Sequence, residues 1–423
     1  MPTHGDPRAF RPMMQDSAAL GRVSLGPNDS VLAQRRVAVI WGLLMFNCLA
    51  WIGPPTVLPL NPRLAQVFTM GALGLALLLA LTLNRSLVFR PNLFLTLFTA
   101  LAVLSLMTSV RGTAGLGGIL RCLRLLVFLL VLWLLTPWWG RRDLLLARCH
   151  LRALLVVCAT VLLGIVVAPS HAFAVQGRLG GAVWPIWPTA VAHFAAMATG
   201  MAVASWFSGS MSGKKAGLLG GTGTAVVLLT QTRVAMLGLV VGLAATALTL
   251  FPGRRRVRRA AILAVAVMPV AVVALTPALS AWFTRGQTAE QISGLTGRRQ
   301  VWEMVVSAPR PAFNHWFGFG LSDKGFAGRS IDNSWLAIYQ DQGLVGVAIV
   351  ACIVLLLLVA AAFRTVGPAK ALAVFIVVYA VVDSYTEVGL GDASSYLLDL
   401  AVAASLLIPY GSTDSVGSGD LVG

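Results

Sequence analysis

Arginine and carboxylate side chains are concentrated in one polar segment of an otherwise apolar chain, residues 279–333. Arginines in such a segment could bind an anion such as a phosphate group. Asp332 and Asn333 close the segment, directly before an apolar run that begins at Trp335. The carboxylate could take a proton from a hydroxyl group while the amide orients that group. Either residue could equally cap the helix that follows.

Four further arginines lie near or inside apolar runs. Arg233 lies between two such runs, where an arginine either snorkels to the membrane surface or binds an anion. Arg121 and Arg124 are three residues apart inside a run, and therefore on one helix face. That face suits a phosphate group or a pair of buried acids. Arg178 is flanked by Gly177 and Gly180-Gly181, which permit a close approach of the backbone to a ligand.

The remaining candidates are histidines and acids. His193 lies in an apolar run and is either a hydrogen-bonded core residue or a functional group. His315 could act as a general base at neutral pH, or anchor the chain at the membrane interface beside Trp316. A last group of acids could bind sugar hydroxyls but is more typical of structural pairing with the arginines. Its members are Asp383, Glu387, Asp392 and Asp399.

The composition indicates a membrane protein. Of 423 residues, 57% are apolar and only 11% are charged, whereas soluble domains carry about 25% charged residues. Repeated continuous apolar runs of about 20 residues predict transmembrane helices, and the lack of alternation excludes an outer-membrane barrel. The fold class is therefore all-α and polytopic, with about 12 transmembrane helices. The predicted spans are residues 37–53, 64–83, 93–110, 115–135, 151–168, 186–207, 215–231, 233–251, 260–278, 334–361, 371–389 and 395–410.

The distribution of charge predicts the topology. The net charge is +17, and its arginines and lysines are concentrated in alternate short loops between spans, which is the positive-inside pattern. Both termini are then cytoplasmic and the polar segment is an external loop between helices 9 and 10. No basic domain is free to present a groove, so the charge does not indicate nucleic-acid binding.

The chain divides into one membrane domain and two tails. Residues 1–36 predict a disordered cytoplasmic tail, residues 37–410 the transmembrane domain, and residues 411–423 a flexible C-terminal tail. The five cysteines lie in or beside apolar runs without CxxC or Cys/His spacing. They predict no disulfide framework and no metal site, and no cofactor is expected.

A set of motifs in residues 230–350 resembles the bacterial O-antigen ligase and O-antigen polymerase superfamily. The motifs are Thr230-Gln231-Thr232-Arg233, Gly297-Arg298 with Trp302, Phe317-Gly318-Phe319-Gly320, Asp332-Asn333-Ser334-Trp335-Leu336, and Gly343 with Gly346. Ligases of this superfamily usually carry a histidine at the position of Asp332. The Asp-Asn-Ser-aromatic-Leu form looks more like the polysaccharide polymerases.

The resemblance implies a metal-independent inverting glycosyltransferase of GT-C-like fold in the bacterial cytoplasmic membrane. Its donor would be a glycan on undecaprenyl pyrophosphate, its acceptor a glycan or a lipid, and its surroundings membrane lipids. A chain-length regulator is a further candidate partner. Arg298 and Arg233 would hold the pyrophosphate, and Asp332 would position or deprotonate the acceptor. The predicted substrate-binding residues are Asn333, Arg178, Arg121, Arg124, His315 and Trp302.

Three other classes of protein remain open. A transporter or flippase of lipid-linked oligosaccharides would place charge deep in the membrane and often shows an internal repeat, which this sequence lacks. A peptidoglycan polymerase also has a large external loop with a key aspartate. A scaffold without catalytic activity would not need so many arginines outside the membrane.

Overall fold

A computed structural model describes residues 30–50, 52–57, 59, 61–112, 115–284 and 297–408. These residues form fifteen α-helices, a short 3-10 turn (Thr136–Trp138) and one two-stranded hairpin. The helices are α1 (Val31–Asn47), α2 (Pro62–Leu83), α3 (Leu93–Arg111), α4 (Gly115–Leu134), α5 (Leu145–Val167), α6 (Pro169–Ala172), α7 (Pro188–Ser208), α8 (Gly213–Thr230), α9 (Arg233–Leu250), α10 (Arg255–Thr284), α11 (Arg298–Ser307), α12 (Ala312–Phe317), α13 (Ser334–Phe363), α14 (Pro368–Asp383) and α15 (Ser395–Leu407). The hairpin pairs β1 (Gly325–Phe326) with β2 (Arg329–Ser330).

The helical architecture agrees with the predicted all-α, multi-pass membrane protein. Each of the twelve predicted spans coincides with a helix. Among the described helices, seven are long and apolar enough to cross a membrane: α2, α3, α4, α5, α7, α9 and α13. The helix α15 is apolar but shorter. A count of twelve crossings therefore stays a prediction.

The first helix begins earlier than predicted. Ser30 accepts a hydrogen bond from the backbone N–H of Ala33, and α1 starts at Val31 rather than at residue 37. The predicted span began only after Arg35 and Arg36. In the structure both arginines belong to the helix and lie on its exposed face. Charged residues on one face do not interrupt a helix whose other face is buried. Residues 1–29 and 409–423, with most of the two predicted tails, lie outside the described residues.

The described parts of the predicted external loop contain helices and a hairpin, and residues 285–296 of that loop lie outside the described residues. Residues 279–284 complete α10, which contains Pro269 and Pro277, and residues 297–333 include α11, α12 and the hairpin. A small core holds α11 against α13, with Val301 and Val305 packed on Ile331 and Ala337. This core holds the polar segment at one end of the helix bundle. A cavity opens at that end, which is termed here the cavity end.

The bundle is built around α7, which is buried along most of its length. Its sequence is rich in alanine and glycine, and small residues let neighbouring helices approach closely. A Cβ atom on Gly200 would lie 1.7 Å from the ring of Phe375 on α14, whose side chain is fully buried. Four helices pack on α7, namely α5, α8, α9 and α14. The first turns of α7 therefore lie at the centre of the cavity end.

The helix α13 is broken at Gly343, where the polar segment touches it. The backbone there has φ +65° and ψ −167°, a conformation open essentially to glycine alone. A Cβ atom on Gly343 would lie 2.4 Å from the backbone of Trp316, and one on Gly318 would lie 2.3 Å from the backbone of Asp341. These two glycines allow α12 to lie directly against α13.

Replacing Gly343 with alanine should destabilise the protein by about 2 kcal/mol or more, because the strained backbone and the clash with Trp316 add together. The measurement is the apparent unfolding temperature of the purified protein in detergent. Gly217→Ala is the control, since a Cβ there meets nothing within 4 Å and alanine favours the helix by about 0.5–1 kcal/mol. Equal unfolding temperatures for the two variants would contradict the close contact.

Candidate functional site

A cavity of about 530 Å³ opens at the cavity end of the bundle. Its walls come from the residues that follow α1, the first turns of α4, the start of α7, the turn before β1, and the segment that joins α14 to α15. The polar residues lining it are Arg121, Arg124, Thr189, His193, Ser322, Asp323, Lys324, Glu387, Asp392, Ser394, Ser395 and Tyr396. Its size is within the range of small-molecule sites, and its lining mixes cations, acids and hydroxyl groups.

Three cations line the cavity. Arg124 donates from Nε to the side-chain oxygen of Asn47 at 3.1 Å and from Nη2 to the Asn47 carbonyl at 2.7 Å. This fixes the guanidinium group at the end of α1, and Arg121 lies three residues earlier on α4. Lys324 pairs with the buried carboxylate of Asp341 and lies 3.9 Å from a carboxylate oxygen of Asp392. The cations therefore come from two separate elements, α4 and the turn before β1.

Lys324 stays positively charged although it is buried. Burial lowers the pKa of its ammonium group, but the carboxylates of Asp341 and Asp392 outweigh burial and raise this pKa above its usual value. Its ammonium group is therefore a fixed positive charge at neutral pH. With Arg121 and Arg124 it gives the cavity the charge that an anionic group requires.

Glu387 lines the cavity from the segment between α14 and α15. Its Oε1 atom is buried, has no hydrogen-bond partner, and lies 3.9 Å from Nη2 of Arg298. Burial raises the pKa of this carboxyl group to about 8, the charge of Asp383 adds to the shift, and Arg298 opposes it. Glu387 can therefore exchange a proton near neutral pH, which a general acid or base needs. The sequence marked it only as one acid of a group favoured for structural pairing.

The structure joins Arg298 and Asp332, two of the predicted catalytic residues. Nε of Arg298 lies 3.1 Å from Oδ2 of Asp332, and the other carboxylate oxygen accepts from the hydroxyl of Ser330. Asp332 has a positive φ of 42°, which turns the chain between β2 and α13. The carboxylate of Asp332 is thus occupied on both oxygens, while Arg298 also faces Glu387.

Asn333 and Trp302 hold the polar segment on the bundle. The side-chain oxygen of Asn333 accepts from the backbone N–H of Leu336 at 3.0 Å, so Asn333 is the N-cap of α13. Its amide nitrogen donates to the carbonyl of Tyr385 at 2.9 Å. The indole of Trp302 donates to the carbonyl of Ile331 at 2.7 Å and packs edge-on against Tyr385. Neither residue lines the cavity.

Arg178 and Arg233 lie where α8 passes into α9. Arg178 donates to the carbonyl of Thr230 at 2.9 Å and to the hydroxyl of Thr232 at 3.1 Å. Burial lowers the pKa of Arg178, with a smaller opposing effect from Glu387 and a further lowering from Arg298. The charges of Glu387 and Arg298 therefore both act on the guanidinium group of Arg178. Arg233 begins α9 and donates to the carbonyl of Thr284 at 3.4 Å.

His315 is not part of the cavity wall. Its Nδ1 atom lies 2.9 Å from the hydroxyl of Tyr339, and its ring packs edge-on against Trp316 and Tyr339. The contact joins α12 to α13. The two predicted roles of His315, a general base or an anchor at the membrane interface, both stay predictions.

A buried chain of histidines and acids extends from the cavity into the bundle. His193 on α7 has one ring nitrogen 3.0 Å from Asp383 and the other 3.0 Å from Asp399. Asp399 also accepts from Nε2 of His150 at 2.7 Å. The chain is completed at one end by Trp41, which donates to Nδ1 of His150, and at the other by Tyr396, which donates to Asp383.

This chain links helices that are far apart in sequence. Sequence reasoning singled out His193, Asp383 and Asp399 but did not connect them, and it missed His150. Ionisable residues inside apolar spans were the available signal. Nδ1 of His193 makes a hydrogen bond with Asp383, whereas Nε2 of His193 and the facing oxygen of Asp399 are at ion-pair distance without forming a hydrogen bond. Within the described residues, no group of three or more His, Cys, Asp or Glu is placed to hold a metal ion.

No protein-family model matches this chain, and no curated protein matches it. The resemblance to the O-antigen ligase and polymerase superfamily therefore rests on the short motifs of residues 230–350 alone. In the structure Arg298 pairs with Asp332 and lies 3.9 Å from Glu387. Asn333 donates to the carbonyl of Tyr385, two residues before Glu387.

Replacing Asp399 with alanine should destabilise the protein by about 3–5 kcal/mol, because it leaves the buried ring of His150 without its acceptor and the buried ring of His193 without one of its two neighbouring carboxylates. The apparent unfolding temperature in detergent measures this. The control is Glu303→Ala, which breaks an exposed ion pair with Arg299 and should change stability by less than about 0.5 kcal/mol. If the Asp399 variant unfolded no earlier than the control, the chain would not stabilise the bundle.

The raised pKa of Glu387 makes stability depend on pH. The folded protein holds this proton up to about pH 8, whereas an ordinary glutamate releases it near 4.5. Stability should therefore be lost as the pH rises from about 4.5 to 8, by an amount on the order of 5 kcal/mol. Glu387→Gln should remove this part of the pH dependence, seen by comparing unfolding temperatures at pH 5.5 and pH 8. Identical pH dependence in both proteins would argue against a buried proton on Glu387.

Proposed function

We propose that this protein transfers a glycan from a lipid-linked pyrophosphate carrier to an acceptor hydroxyl group at the outer face of a bacterial cytoplasmic membrane. In this proposal all twelve apolar helices cross the membrane in a GT-C-like arrangement and both termini are cytoplasmic. The proposal rests on one observation. A single cavity is lined by three cations, Arg121, Arg124 and Lys324, and by the carboxyl group of Glu387. A glycosyl transfer from a diphosphate needs cations for the leaving group and a proton acceptor for the nucleophile.

The cations of the cavity are suited to a diphosphate. Arg121 and Arg124 share one face of α4, and a guanidinium group binds phosphate oxygens through two parallel hydrogen bonds. Arg298 contributes a further positive charge from the polar segment. Arg178 and Arg233 contribute theirs from the point where α8 passes into α9. As the bond between the anomeric carbon and the diphosphate oxygen breaks, its electron pair goes to the diphosphate. Fixed positive charges stabilise that developing charge.

Two carboxylates are candidates to receive the proton of the acceptor hydroxyl. Asp332 remains the candidate of the family motif, but both of its oxygens are already engaged by Arg298 and Ser330. Glu387 lines the cavity and has a pKa matched to neutral pH. In this proposal the hydroxyl oxygen attacks the anomeric carbon and inverts it, and the proton passes to the ionised form of Glu387, which is the minor form below about pH 8. Asp332 orients Arg298, and Asn333 fixes the start of α13.

The acceptor is a glycan for a polymerase or a lipid for a ligase. The Asp-Asn-Ser-Trp-Leu motif favours the polymerase, and a chain-length regulator would then be a natural partner. Membrane lipids surround the site in either case. No metal or cofactor is needed, because the cations belong to the protein and the diphosphate is already a good leaving group.

A transporter of lipid-linked oligosaccharides is the second candidate function. The observation that favours it is the buried chain of His193, Asp383 and Asp399, since ionisable groups inside spans often mark transport pathways. Purified protein mixed with a lipid-linked donor in detergent separates the two functions. Chain growth supports the transferase. Movement of donor across a liposome membrane without any product supports the transporter.

Arg298→Ala and Arg121→Ala should each lower the rate of glycan transfer about 10²–10³-fold, since each removes a charge that stabilises the leaving group. Product length on gels after a timed reaction with purified lipid-linked donor measures the rate. Arg299→Ala is the matched control: it removes the neighbouring arginine, which is exposed and paired with Glu303, and should leave the rate within about twofold. Normal rates in both Arg298→Ala and Arg121→Ala would refute the role of these cations.

A further inference from the structure

A second cavity, of about 410 Å³, lies at the opposite end of the bundle from the candidate site. It opens between the first turns of α5 and the first turns of α8, above the last turns of α7. Both α5 and α8 pack on α7, whereas they make little contact with each other. The cavity is therefore the wide end of a groove between two helices that face the membrane. Its lining residues come from Asp143–Leu155, Met201–Leu219 and Leu372.

The mouth of this groove is charged, whereas its deeper part is apolar. Arg148 and Arg152 are one turn apart on α5, and Lys215 faces them from the first turn of α8. Among the lining residues, all of which the structure describes, Asp143 is the one acid, and it already accepts from Arg148 at 2.6 Å. It also pairs with Arg141. Positive charge is thus in excess at the mouth of the groove.

The start of α8 adds to this positive potential. Ser212 precedes the helix and makes no side-chain capping bond, so its side chain does not cover the first backbone N–H groups of α8. Such groups at the positive end of a helix dipole favour an anion. Ser210 and Ser212 line the same mouth. Ser210 donates its hydroxyl hydrogen to the carbonyl of Ser205, so Ser212 is the residue whose hydroxyl group could bind a phosphate oxygen.

The deeper part of the groove is apolar. Leu151, Leu155 and Leu219 line it, and it continues onto the outer surfaces of α5 and α8, where Val156 is 64% exposed and Leu218 is 70% exposed. Exposed apolar side chains on these spans face the acyl chains of the bilayer. A soluble anion would use only the charged mouth, whereas a lipid uses the mouth and the apolar groove together.

We propose that this groove binds an anionic phospholipid, with its phosphate headgroup at Arg148, Arg152 and Lys215 and an acyl chain against Leu151, Leu155 and Leu219. Basic pockets between membrane helices on the cytoplasmic side recognise such headgroups, and this end is cytoplasmic in the proposed topology. The site is independent of the proposed glycan transfer, because it shares no residue with the first cavity.

The test uses the full-length protein in mild detergent. Phosphatidylglycerol and phosphatidylcholine are added in turn, and binding is measured by native mass spectrometry and by the rise in unfolding temperature. The protein should prefer phosphatidylglycerol. Arg152→Gln and Lys215→Gln should each weaken this binding about fivefold, and the double variant about 25-fold, as expected for single charges near a membrane surface. Lys214→Gln is the matched control, since Lys214 is exposed beside Lys215 but does not line the groove.

Three outcomes would overturn the proposal. They are equal binding of the two lipids by the unaltered protein, unchanged phosphatidylglycerol binding in the double variant, and an equal loss in Lys214→Gln. Inorganic phosphate is tested as a separate arm. If it raised the unfolding temperature as much as phosphatidylglycerol does, the mouth would be a site for soluble anions rather than for a lipid. None of these outcomes depends on glycan transfer, so this proposal and the proposed activity fail separately.

Discussion

The ionic contacts of His193 are the interaction on which the cavity end depends. One imidazole ring joins α7 to Asp383 at the end of α14 and to Asp399 on α15. An unpaired charge in the interior of a membrane protein is strongly unfavourable, so each of these groups requires the others. The ring also lines the cavity. The packing of the helices and the floor of the site are therefore set by the same contacts.

The cavity holds Glu387 apart from Arg121, Arg124 and Lys324. Asn47 accepts from Arg124, while Lys324 is paired with Asp341 and lies 3.9 Å from Asp392. Glu387 is on the other side, beside Arg298. If the cations and Glu387 were in direct contact they would neutralise one another, and neither could act on a ligand. Rigid anchoring of each group leaves both signs of charge available to a substrate placed between them.

The sequence was sufficient for the positions of the helices and for part of the site. Run length and apolar character located the twelve apolar helices but not the short helices α6, α11 and α12. The three-residue spacing of Arg121 and Arg124 placed them on one face that lines the cavity. The ends of helices were less predictable, as at Val31 and Leu145, because exposed charges on one face look like a loop in the sequence. The asparagine alternative for the cap of α13 was correct.

The pairings within the site could not be read from the sequence. His150 and Asp399 are 249 positions apart, and their contact depends on how α5 and α15 are rotated against α7. Periodicity defines which residues share a face of one helix but not which neighbour that face meets. The pKa of Glu387 has the same origin, since burial and Asp383 determine it. The role of Glu387 in the cavity therefore emerged only from the packing.

The contact between Trp41 and His150 has a consequence for ion leakage. The indole can only donate, so Nδ1 of His150 must offer a lone pair, and its other nitrogen carries the hydrogen that binds Asp399. A proton that arrived from the cavity would need to leave through Nδ1, where the indole hydrogen blocks it. Within the described residues, the row of titratable groups therefore ends at His150, where Nδ1 has no lone pair left to take a further proton.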